Sequence, residues 1–295
     1  MDIPFSGTQS GNSILVQLEA DGHQTPVDIQ AATAKLAKMQ ARLAALGRVI
    51  VAFSGGVDST LVLKVAVEAL GDQVIGVTAV SPSLPAGELE QARALAQQLG
   101  ARFHALETHE VDDPLYQANT EARCYFCKRE VYSEISAFAR EQGIQYLADG
   151  LNLDDLSDRR PGRRAAEEQG VYSPLAEAGL SKAEVRELSH QLGLPTWDKP
   201  ALACLSSRIP HGQPVTRQAL SQIDRAEQVV RGLGIRQVRV RHHDTLARIE
   251  VEPADIPTVL KHQAEITVAL RKLGYTDVTV DPAGYRMGSL NELKR

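Results

Sequence analysis

One junction constrains the fold more than any other part of the chain: FSGGVDST, residues 53–60, follows the apolar run GRVIVA and precedes LVLKVAVEAL, which has helical spacing. A glycine-rich turn between a strand and a helix aims backbone N–H groups and the positive helix end at one point. Such a turn is an anion site, and its glycines and hydroxyl groups favour phosphate. The residues predicted to contact phosphate are Ser54, Gly55, Gly56, Ser59 and Thr60.

The same turn contains a carboxylate, Asp58. A carboxylate beside phosphates is expected where Mg²⁺ bridges the two, because Mg²⁺ takes oxygen ligands and retains substrate phosphates. The turn lacks the lysine of GxxxxGK[ST] and the third glycine of GxGxxG. It resembles instead the SGGxDS pyrophosphate loop of the ATP pyrophosphatase superfamily, which grips the pyrophosphate that leaves when ATP adenylates a substrate. This resemblance implies ATP and Mg²⁺ as cofactors.

Strands and helices alternate on both sides of this turn, which predicts an α/β fold with a doubly wound parallel sheet over residues 28–204. Helices are predicted at 29–47, 59–70, 86–99 and 128–142, and strands at 48–53, 73–80, 102–108 and 144–150. Residues 1–27 lack periodicity and are predicted to be a flexible leader. Residues 205–295 predict a smaller α+β domain for substrate binding or oligomerisation, with helices at 216–233 and 256–274 and strands at 236–243, 246–251 and 276–282.

Two further segments agree with an ATP site. The segment VTAVSPS, residues 77–83, ends the second strand where adenine would lie in a doubly wound sheet, so Val80 is a predicted contact. The segment ADGLNLDD resembles the G-x-N-x-D-D loop of the superfamily and places Gly150 at the nucleotide. Asp154 and Asp155 could assist the metal, or could lie in a solvated loop.

The three cysteines are too few and odd in number for a disulfide framework, so they are candidate metal or redox ligands. Cys124 and Cys127 have CxxC spacing in RCYFCK, and Cys204 lies in ALACLSSR. Zinc would need a fourth ligand, and none is obvious. A cubane cluster held by three cysteines leaves one iron open, which suits chemistry. A thioredoxin-like pair and three unrelated buried thiols are the alternatives.

The motifs FSGGVDST, RCYFCK, DKPALACLSSRIPHG, VRVRHHDTLARIEV and GYRMGSLNE together resemble the LarE family from about residue 35 to the chain end. This family consists of ATP-dependent sulfur transferases that help build the nickel-pincer nucleotide cofactor of lactate racemase. The resemblance implies that ATP adenylates a carboxylate of pyridinium-3,5-biscarboxylic acid mononucleotide, a nicotinate-derived substrate, and that a sulfur donor then forms the thiocarboxylate.

The family uses two sulfur sources. Some members sacrifice one cysteine and end with dehydroalanine, whereas others hold a [4Fe-4S] cluster with three cysteines and pass on a sulfide bound to its open iron. Because this chain has all three thiols, the resemblance implies the cluster version, with Cys124, Cys127 and Cys204 as ligands and repeated turnover.

Basic residues could bind or offset the anionic substrate. In the strand 236–243 the period of two puts Arg239 and Arg241 on one face, and arginine suits phosphate through bidentate hydrogen bonds. The family resemblance implies a substrate-phosphate site at these two arginines and a metal site at Glu227 and Asp255, with exposed helix residues as the alternative for the two acids. Three further basic residues are predicted to offset substrate charge, with a solvated surface as the alternative: Arg123, Lys128 and Arg208.

Other function classes are disfavoured by composition. No apolar run approaches the ~20 residues of a membrane span and no signal peptide is recognisable, which predicts a cytoplasmic protein without membrane contact. A net charge of −5 argues against nucleic-acid binding. The competing hypotheses are a tRNA thiolase, an amide-forming NAD or GMP synthetase, and a nucleotide-sensing or cluster-carrying protein without turnover. The family resemblance implies a homo-oligomer, possibly a hexamer.

Overall fold

A computed structural model describes residues 27–156, 161–201 and 203–286. The predicted leader, apart from Val27, and the part of the GYRMGSLNE motif after Arg286 lie outside these ranges. No helix of the described ranges is long and apolar enough to cross a membrane.

The first sheet has four parallel strands in the order β3-β2-β1-β4. Their bounds are β1 Val49–Ala52, β2 Val74–Val80, β3 Arg102–Glu107 and β4 Tyr146–Ala148. The strand order reverses between β1 and β4, and in open α/β sheets the carboxyl ends of the strands at such a point form the ligand crevice. FSGGVDST directly follows β1, so the sheet places the predicted phosphate turn at this crevice.

Helices cover both faces of this sheet, as the alternation of strands and helices predicts. They are α1 Ile29–Ala44, α2 Val57–Leu70, α3 Glu88–Gln98, α4 Pro114–Gln117, α5 Arg123–Glu141, α6 Pro161–Glu168, α7 Pro174–Ala178 and α8 Lys182–Gln191. Successive residues of β1 point to opposite faces: Val49 and Val51 join the core formed with α1, α2 and α8, whereas Ile50 joins the core formed with α5. The predicted α/β fold is confirmed.

Two helices begin earlier than predicted. α2 starts at Val57, so Asp58, Ser59 and Thr60 form its first turn. α5 starts at Arg123, which places both residues of the CxxC pair among the first five residues of a helix. Cysteine and aromatic residues are weak helix formers, which hid this start in the sequence, but packing of Phe126 against a buried cluster outweighs local propensity.

The second sheet has the order β5-β6-β7, with β5 Val238–His243, β6 Leu246–Val251 and β7 Asp277–Val280. Its first pair is antiparallel and its second parallel. One face packs on α9 Arg217–Arg231, α10 Ile256–Lys261 and α11 Gln263–Lys272. The predicted helix 256–274 is thus two helices that meet at His262. Val238 and Val240 belong to the core on this face.

A separate apolar cluster joins the two parts of the chain. Val111 and Tyr116, which follow β3, pack against residues from the start of the second part. These residues are Leu205, Ile209, Val215, Leu220 and Ile223. The segment after Cys204 therefore packs against both parts. The predicted boundary at 204 and 205 stays a prediction.

Candidate active site

The loop from Ser54 to Thr60, here called the pyrophosphate loop, is shaped by its own hydroxyl groups. The Ser54 and Ser59 Oγ atoms lie 3.1 Å apart, and Thr60 Oγ1 donates to the Gly56 carbonyl at 2.8 Å. Gly55 has a φ of +70°, a conformation that favours glycine. The first N–H groups of α2 have no partner within the helix, so they are available to an anion at this end.

Two residues from distant parts of the chain hold Asp58, the predicted Mg²⁺ ligand. Asn152 Nδ2 donates to its Oδ1 at 3.2 Å, and the Lys182 ammonium contacts its Oδ2. The Lys182 backbone N–H donates to the Asp154 carboxylate at 2.9 Å, and Asp155 accepts from the Asn152 N–H at 3.3 Å. The loop that contains Asp154 and Asp155 therefore lies beside the pyrophosphate loop. The ammonium that contacts Asp58, the predicted Mg²⁺ ligand, belongs to Lys182.

A second lysine, Lys199, contacts the pyrophosphate loop at Gly55. Lys199 Nζ lies 3.3 Å from the Gly55 carbonyl oxygen and 3.0 Å from Glu88 Oε2 at the start of α3. Sequence reasoning missed both Lys182 and Lys199, because their partners are more than a hundred positions away. Together they add positive charge where phosphates would bind.

A cavity of about 330 Å³ connects the pyrophosphate loop to the cysteines. One end is formed by residues that follow β1 and β2, including Phe53, Ser54 and Ser81. All three cysteines line the same cavity, together with Arg123 and Lys128. Val80 ends β2 beside it, and its carbonyl accepts from the Thr108 N–H at 3.0 Å. The cavity lining thus contains Ser54, one of the residues predicted for ATP, together with the three cysteines predicted for sulfur chemistry.

The cysteines are free thiols in different surroundings. Cys124 is exposed, whereas Cys127 and Cys204 are half-buried. Burial raises the pKa of the Cys127 thiol, and the nearby Cys204 and Glu110 add to the effect. Within the described ranges, no three His, Cys, Asp or Glu side chains are close enough to hold a metal ion. The thiols therefore share a cavity without forming a preassembled metal site.

Arginines fix the backbone of residues 201 and 203–208, here called the Cys204 segment. Four of them donate to its carbonyl oxygens: Arg123 to Ser206 at 2.8 Å, Arg208 to Ala203 at 2.7 Å and Cys204 at 2.9 Å, Arg239 to Ala201 at 2.7 Å, and Arg241 to Ser207 at 3.0 Å. The Leu205 N–H also donates to the Ser83 carbonyl at 2.8 Å. The arginines predicted for substrate charge and phosphate thus also position the backbone of Cys204.

Arg208 and Glu227, predicted for separate roles, form one buried ion pair. Arg208 Nε lies 2.7 Å from Glu227 Oε1, and both side chains are almost fully buried. Glu227 also accepts from Arg231 at 2.9 Å and from the Val240 N–H at 3.1 Å. Burial alone would raise the pKa of Glu227, but Arg208 and Arg231 outweigh it and lower that pKa. Asp255, its predicted partner in a metal site, lies half-buried in the turn before α10.

Known proteins resemble this chain over most of its length. Residues 29–142 match the NAD synthase family model. An uncharacterised protein of Synechocystis sp. is 47% identical over 88% of this chain and 97% of its own. The pyridinium-3,5-bisthiocarboxylic acid mononucleotide synthase of Lactiplantibacillus plantarum is 39% identical over 88% of this chain and 94% of its own. The chain belongs to the LarE family.

This membership makes the LarE-family chain an ATP-using enzyme with a pyrophosphate loop. Other enzymes with this loop are similar over a smaller share of the chain. The tRNA-specific 2-thiouridylase of Thermosynechococcus vestitus is 31% identical over 60% of the LarE-family chain and 56% of its own length.

In this LarE-family chain, the two predicted phosphate arginines lie on one face of β5, opposite its core valines. Both are 5% exposed. Arg241 pairs with Glu250 at 2.8 Å, whereas Arg239 has no ion pair with any described residue and lies 5.4 Å from the Tyr285 ring centroid. Burial lowers the pKa of Arg239 to about 10, and the neighbouring Arg208 contributes. A buried cation without a carboxylate partner suits an anionic ligand group.

We expect Gly150→Ala to weaken ATP binding by about tenfold or more, because its methyl group would collide with the pyrophosphate loop. A Cβ at Gly150 would lie 2.8 Å from the Ser59 backbone nitrogen and 3.1 Å from Asp58 Cβ. Isothermal titration with ATP measures the effect. Gly232→Ala is the control, since Gly232 lies at the end of α9 in a right-handed helical conformation. Unchanged ATP affinity in a folded Gly150→Ala protein would contradict the prediction.

Proposed function

We propose that this protein is an ATP-dependent sulfur transferase that adenylates a carboxylate of pyridinium-3,5-biscarboxylic acid mononucleotide and converts it to a thiocarboxylate during nickel-pincer nucleotide synthesis. One observation carries the proposal: a single cavity joins the pyrophosphate loop to three cysteines, in a chain 39% identical to a synthase named for the bisthiocarboxylic product. A cytoplasmic homo-oligomer that serves lactate racemase maturation belongs to the same proposal.

The first step needs a good leaving group, because a carboxylate is a poor acyl donor. A carboxylate oxygen of the substrate attacks the α-phosphorus of ATP, the bond from that phosphorus to the bridging oxygen breaks, and pyrophosphate leaves. The pyrophosphate loop and the start of α2 would bind the departing anion. Lys182 and Lys199 would offset its charge, with Asp58 contacting Mg²⁺.

The second step replaces AMP with sulfur. A sulfur nucleophile attacks the acyl carbon of the mixed anhydride, and the bond from that carbon to the AMP oxygen breaks. Arg123 and Lys128 line the cavity beside the cysteines and would offset the negative charge that develops there. Arg239 and Arg241, which contact carbonyl oxygens of the Cys204 segment, would bind the substrate's own phosphate.

The three cysteines are the proposed source of the transferred sulfur. Cys124, Cys127 and Cys204 would hold a [4Fe-4S] cluster, and their number and kind suit one, since all three are free thiols on one cavity. When bound, such a cluster would supply the sulfide for transfer. The alternative within the same reaction is donation of the Cys204 sulfur itself.

A tRNA thiolase is the second candidate, favoured by the partial likeness to the 2-thiouridylase. It requires a surface that binds the RNA backbone, which the net charge of −5 does not favour.

Product analysis tests the proposed function. Anaerobically purified protein is incubated with ATP, Mg²⁺ and the pyridinium mononucleotide, and pyrophosphate and the mass of the mononucleotide are measured. We expect pyrophosphate release only with the mononucleotide present, and a product in which sulfur replaces one oxygen. ATP binding without pyrophosphate release would indicate a protein without turnover, and release that depends on tRNA would indicate a thiolase.

A further inference from the structure

One side chain of α8, Arg186, holds the main chain that precedes the Cys204 segment. Its Nη1 donates to the Trp197 carbonyl at 2.6 Å, and its Nη2 donates to the Lys199 carbonyl at 3.0 Å. A guanidinium has a rigid fork of donors, so two bonds from one side chain fix both carbonyls relative to the helix. Arg186 therefore fixes the point from which the chain continues to Cys204.

The same helix also contacts the pyrophosphate loop. Lys182 is the first residue of α8, and its ammonium contacts Asp58. It lies four positions before Arg186, so the two side chains share one face of the helix. The helix is anchored, because Val185 and Leu188 are buried in the core that α8 forms with β1 and α2. One firmly packed helix thus connects the pyrophosphate loop to the chain that Arg186 holds.

Lys199 also contacts the pyrophosphate loop, which closes a ring of contacts. Its carbonyl accepts from Arg186, while its ammonium lies 3.3 Å from the Gly55 carbonyl oxygen. Pro200 comes next. A residue before proline is restricted to extended conformations, and proline fixes its own φ, so this stretch of chain is stiff. A displacement of Lys199 is therefore passed on to Cys204, five residues later.

The turn that Arg186 contacts does not need this arginine in order to form. The Trp197 N–H donates to the Leu194 carbonyl at 3.2 Å, and the Lys199 N–H donates to the Thr196 carbonyl at 3.0 Å. These bonds close the turn within its own backbone. The contribution of Arg186 is thus to fix the position of a preformed turn on α8.

We propose that Arg186 is a positioning residue that links the occupancy of the pyrophosphate loop to the position of Cys204. The inference rests on the proposed function, in which the sulfur nucleophile attacks only after ATP has formed the mixed anhydride. Such a link would bring the Cys204 segment to its reactive position only with ATP bound. Arg186 acts through the carbonyls of Trp197 and Lys199, so its role is positional and not catalytic.

The phosphates of ATP supply the interaction that distinguishes the two states. Both lysines that contact the loop are connected to Arg186, Lys182 through one turn of α8 and Lys199 through its own carbonyl. A phosphate oxygen is a stronger partner for an ammonium than the neutral Gly55 carbonyl oxygen, so bound ATP should attract Lys199. A ligand shifts a conformational equilibrium when it interacts differently with the two states. The Cys204 segment should therefore be held more tightly with ATP bound.

Hydrogen exchange followed by mass spectrometry tests the link in the anaerobically purified full chain. The probe is a saturating ATP analogue with a methylene group between the α- and β-phosphates, which cannot release pyrophosphate, together with Mg²⁺. In the wild type, we expect slower exchange in the pyrophosphate loop and about fivefold slower exchange in the peptide that contains Cys204. In Arg186→Gln the loop should still respond, whereas the change in the Cys204 peptide should fall below about twofold.

The ratio of exchange rates with and without the analogue separates the link from a general loosening, which would speed exchange equally in both. Arg271→Gln is the matched control, because Arg271 on α11 also donates to a main-chain carbonyl, that of Thr276 at 3.3 Å. It should keep the wild-type response. Arg186→Lys should retain part of the response, since an ammonium can donate to the same carbonyls without the rigid fork. Thermal melting establishes that each variant is folded.

A second variant interrupts the same link if Arg186→Gln does not fold. Lys199→Met removes the contact with Gly55 and leaves the Lys199 carbonyl in place for Arg186. At saturating analogue, it should reduce the response of the Cys204 peptide in the same way. A folded Lys199→Met protein with the wild-type response would overturn the proposal.

The outcomes separate this inference from the proposed function. A wild type whose loop responds while its Cys204 peptide does not, or a folded Arg186→Gln with the wild-type response in both, overturns the role of Arg186 and leaves the function standing. A folded Arg186→Gln whose loop no longer responds would assign Arg186 to ATP binding and overturn the proposal. A wild type whose loop does not respond overturns the proposed function together with this inference.

Discussion

Cys204→Ala should lose thiocarboxylate formation and keep pyrophosphate release. Within the described residues, the pyrophosphate loop, Lys182 and Lys199 form no hydrogen bond or ion pair with the Cys204 side chain, and the Cys204 segment is held through its backbone carbonyls. Removing the thiol should therefore leave adenylation intact. Thiocarboxylate yield should fall below about one thousandth of the wild-type value, because the nucleophile or its ligand is gone. Pyrophosphate release and product mass spectra, followed together, measure the two steps separately.

Iron analysis of the same variant distinguishes the two sulfur sources. About four irons and four acid-labile sulfides per chain in the anaerobic wild type, lost in Cys204→Ala, would support the cluster. Cys124→Ala is the matched variant in the first turn of α5 and should lose the cluster equally. A metal-free wild type that completes one round and loses the mass of H₂S from Cys204 would contradict the cluster and establish sacrificial donation.

Glu227→Ala should destabilise the protein by about 3–5 kcal/mol, because removing one partner of a buried ion pair leaves the other uncompensated. The substitution would leave Arg208, which is 1% exposed, without its ion-pair partner. It would also remove the acceptor of Arg231 and of the Val240 N–H. The free energy of unfolding in urea measures the loss. Glu252→Ala removes an exposed glutamate and should stay within about 0.5 kcal/mol of wild type.

Chelation distinguishes this structural role from the metal site that the family resemblance implies at Glu227. If the carboxylate serves the ion pair, EDTA should leave the unfolding midpoint of the wild type unchanged. The ion-pair interpretation would be contradicted by a midpoint that falls with EDTA and recovers with Mg²⁺ in the wild type but not in Glu227→Ala, or by a Glu227→Ala protein as stable as the wild type.

Structural elements formed by residues that are close together in the sequence could be predicted from local sequence patterns. The strand, glycine turn and helix around Gly55 are continuous from residue 49 to residue 70, so the sequence indicates both the parallel sheet and its anion site. The period of two in β5 likewise puts Arg239 and Arg241 opposite the core valines. The start of α5 was missed because its helical state depends on packing of Phe126 and Cys127 against a buried cluster.

Partners that are distant in sequence could not be predicted in this way. Lys182 lies 124 positions from Asp58, and Arg208 lies 19 positions from Glu227 across a change of element. Glu110 had no signal at all, since a single glutamate after a strand is indistinguishable from a solvated one. Its burial and its hydrogen bonds to Ser81 and Ser83 exist only in the folded chain.

The arginine contacts to the Cys204 segment have an evolutionary consequence. They engage main-chain carbonyl oxygens, which every residue type possesses, so the path of the segment does not depend on the side chain at position 204. Proteins with this scaffold can exchange one sulfur chemistry for another by substituting a few cysteines, with no accompanying change of fold. For the same reason, a chain whose Cys204 had donated its sulfur would keep the segment in place. It would remain folded but could not donate sulfur from this residue again.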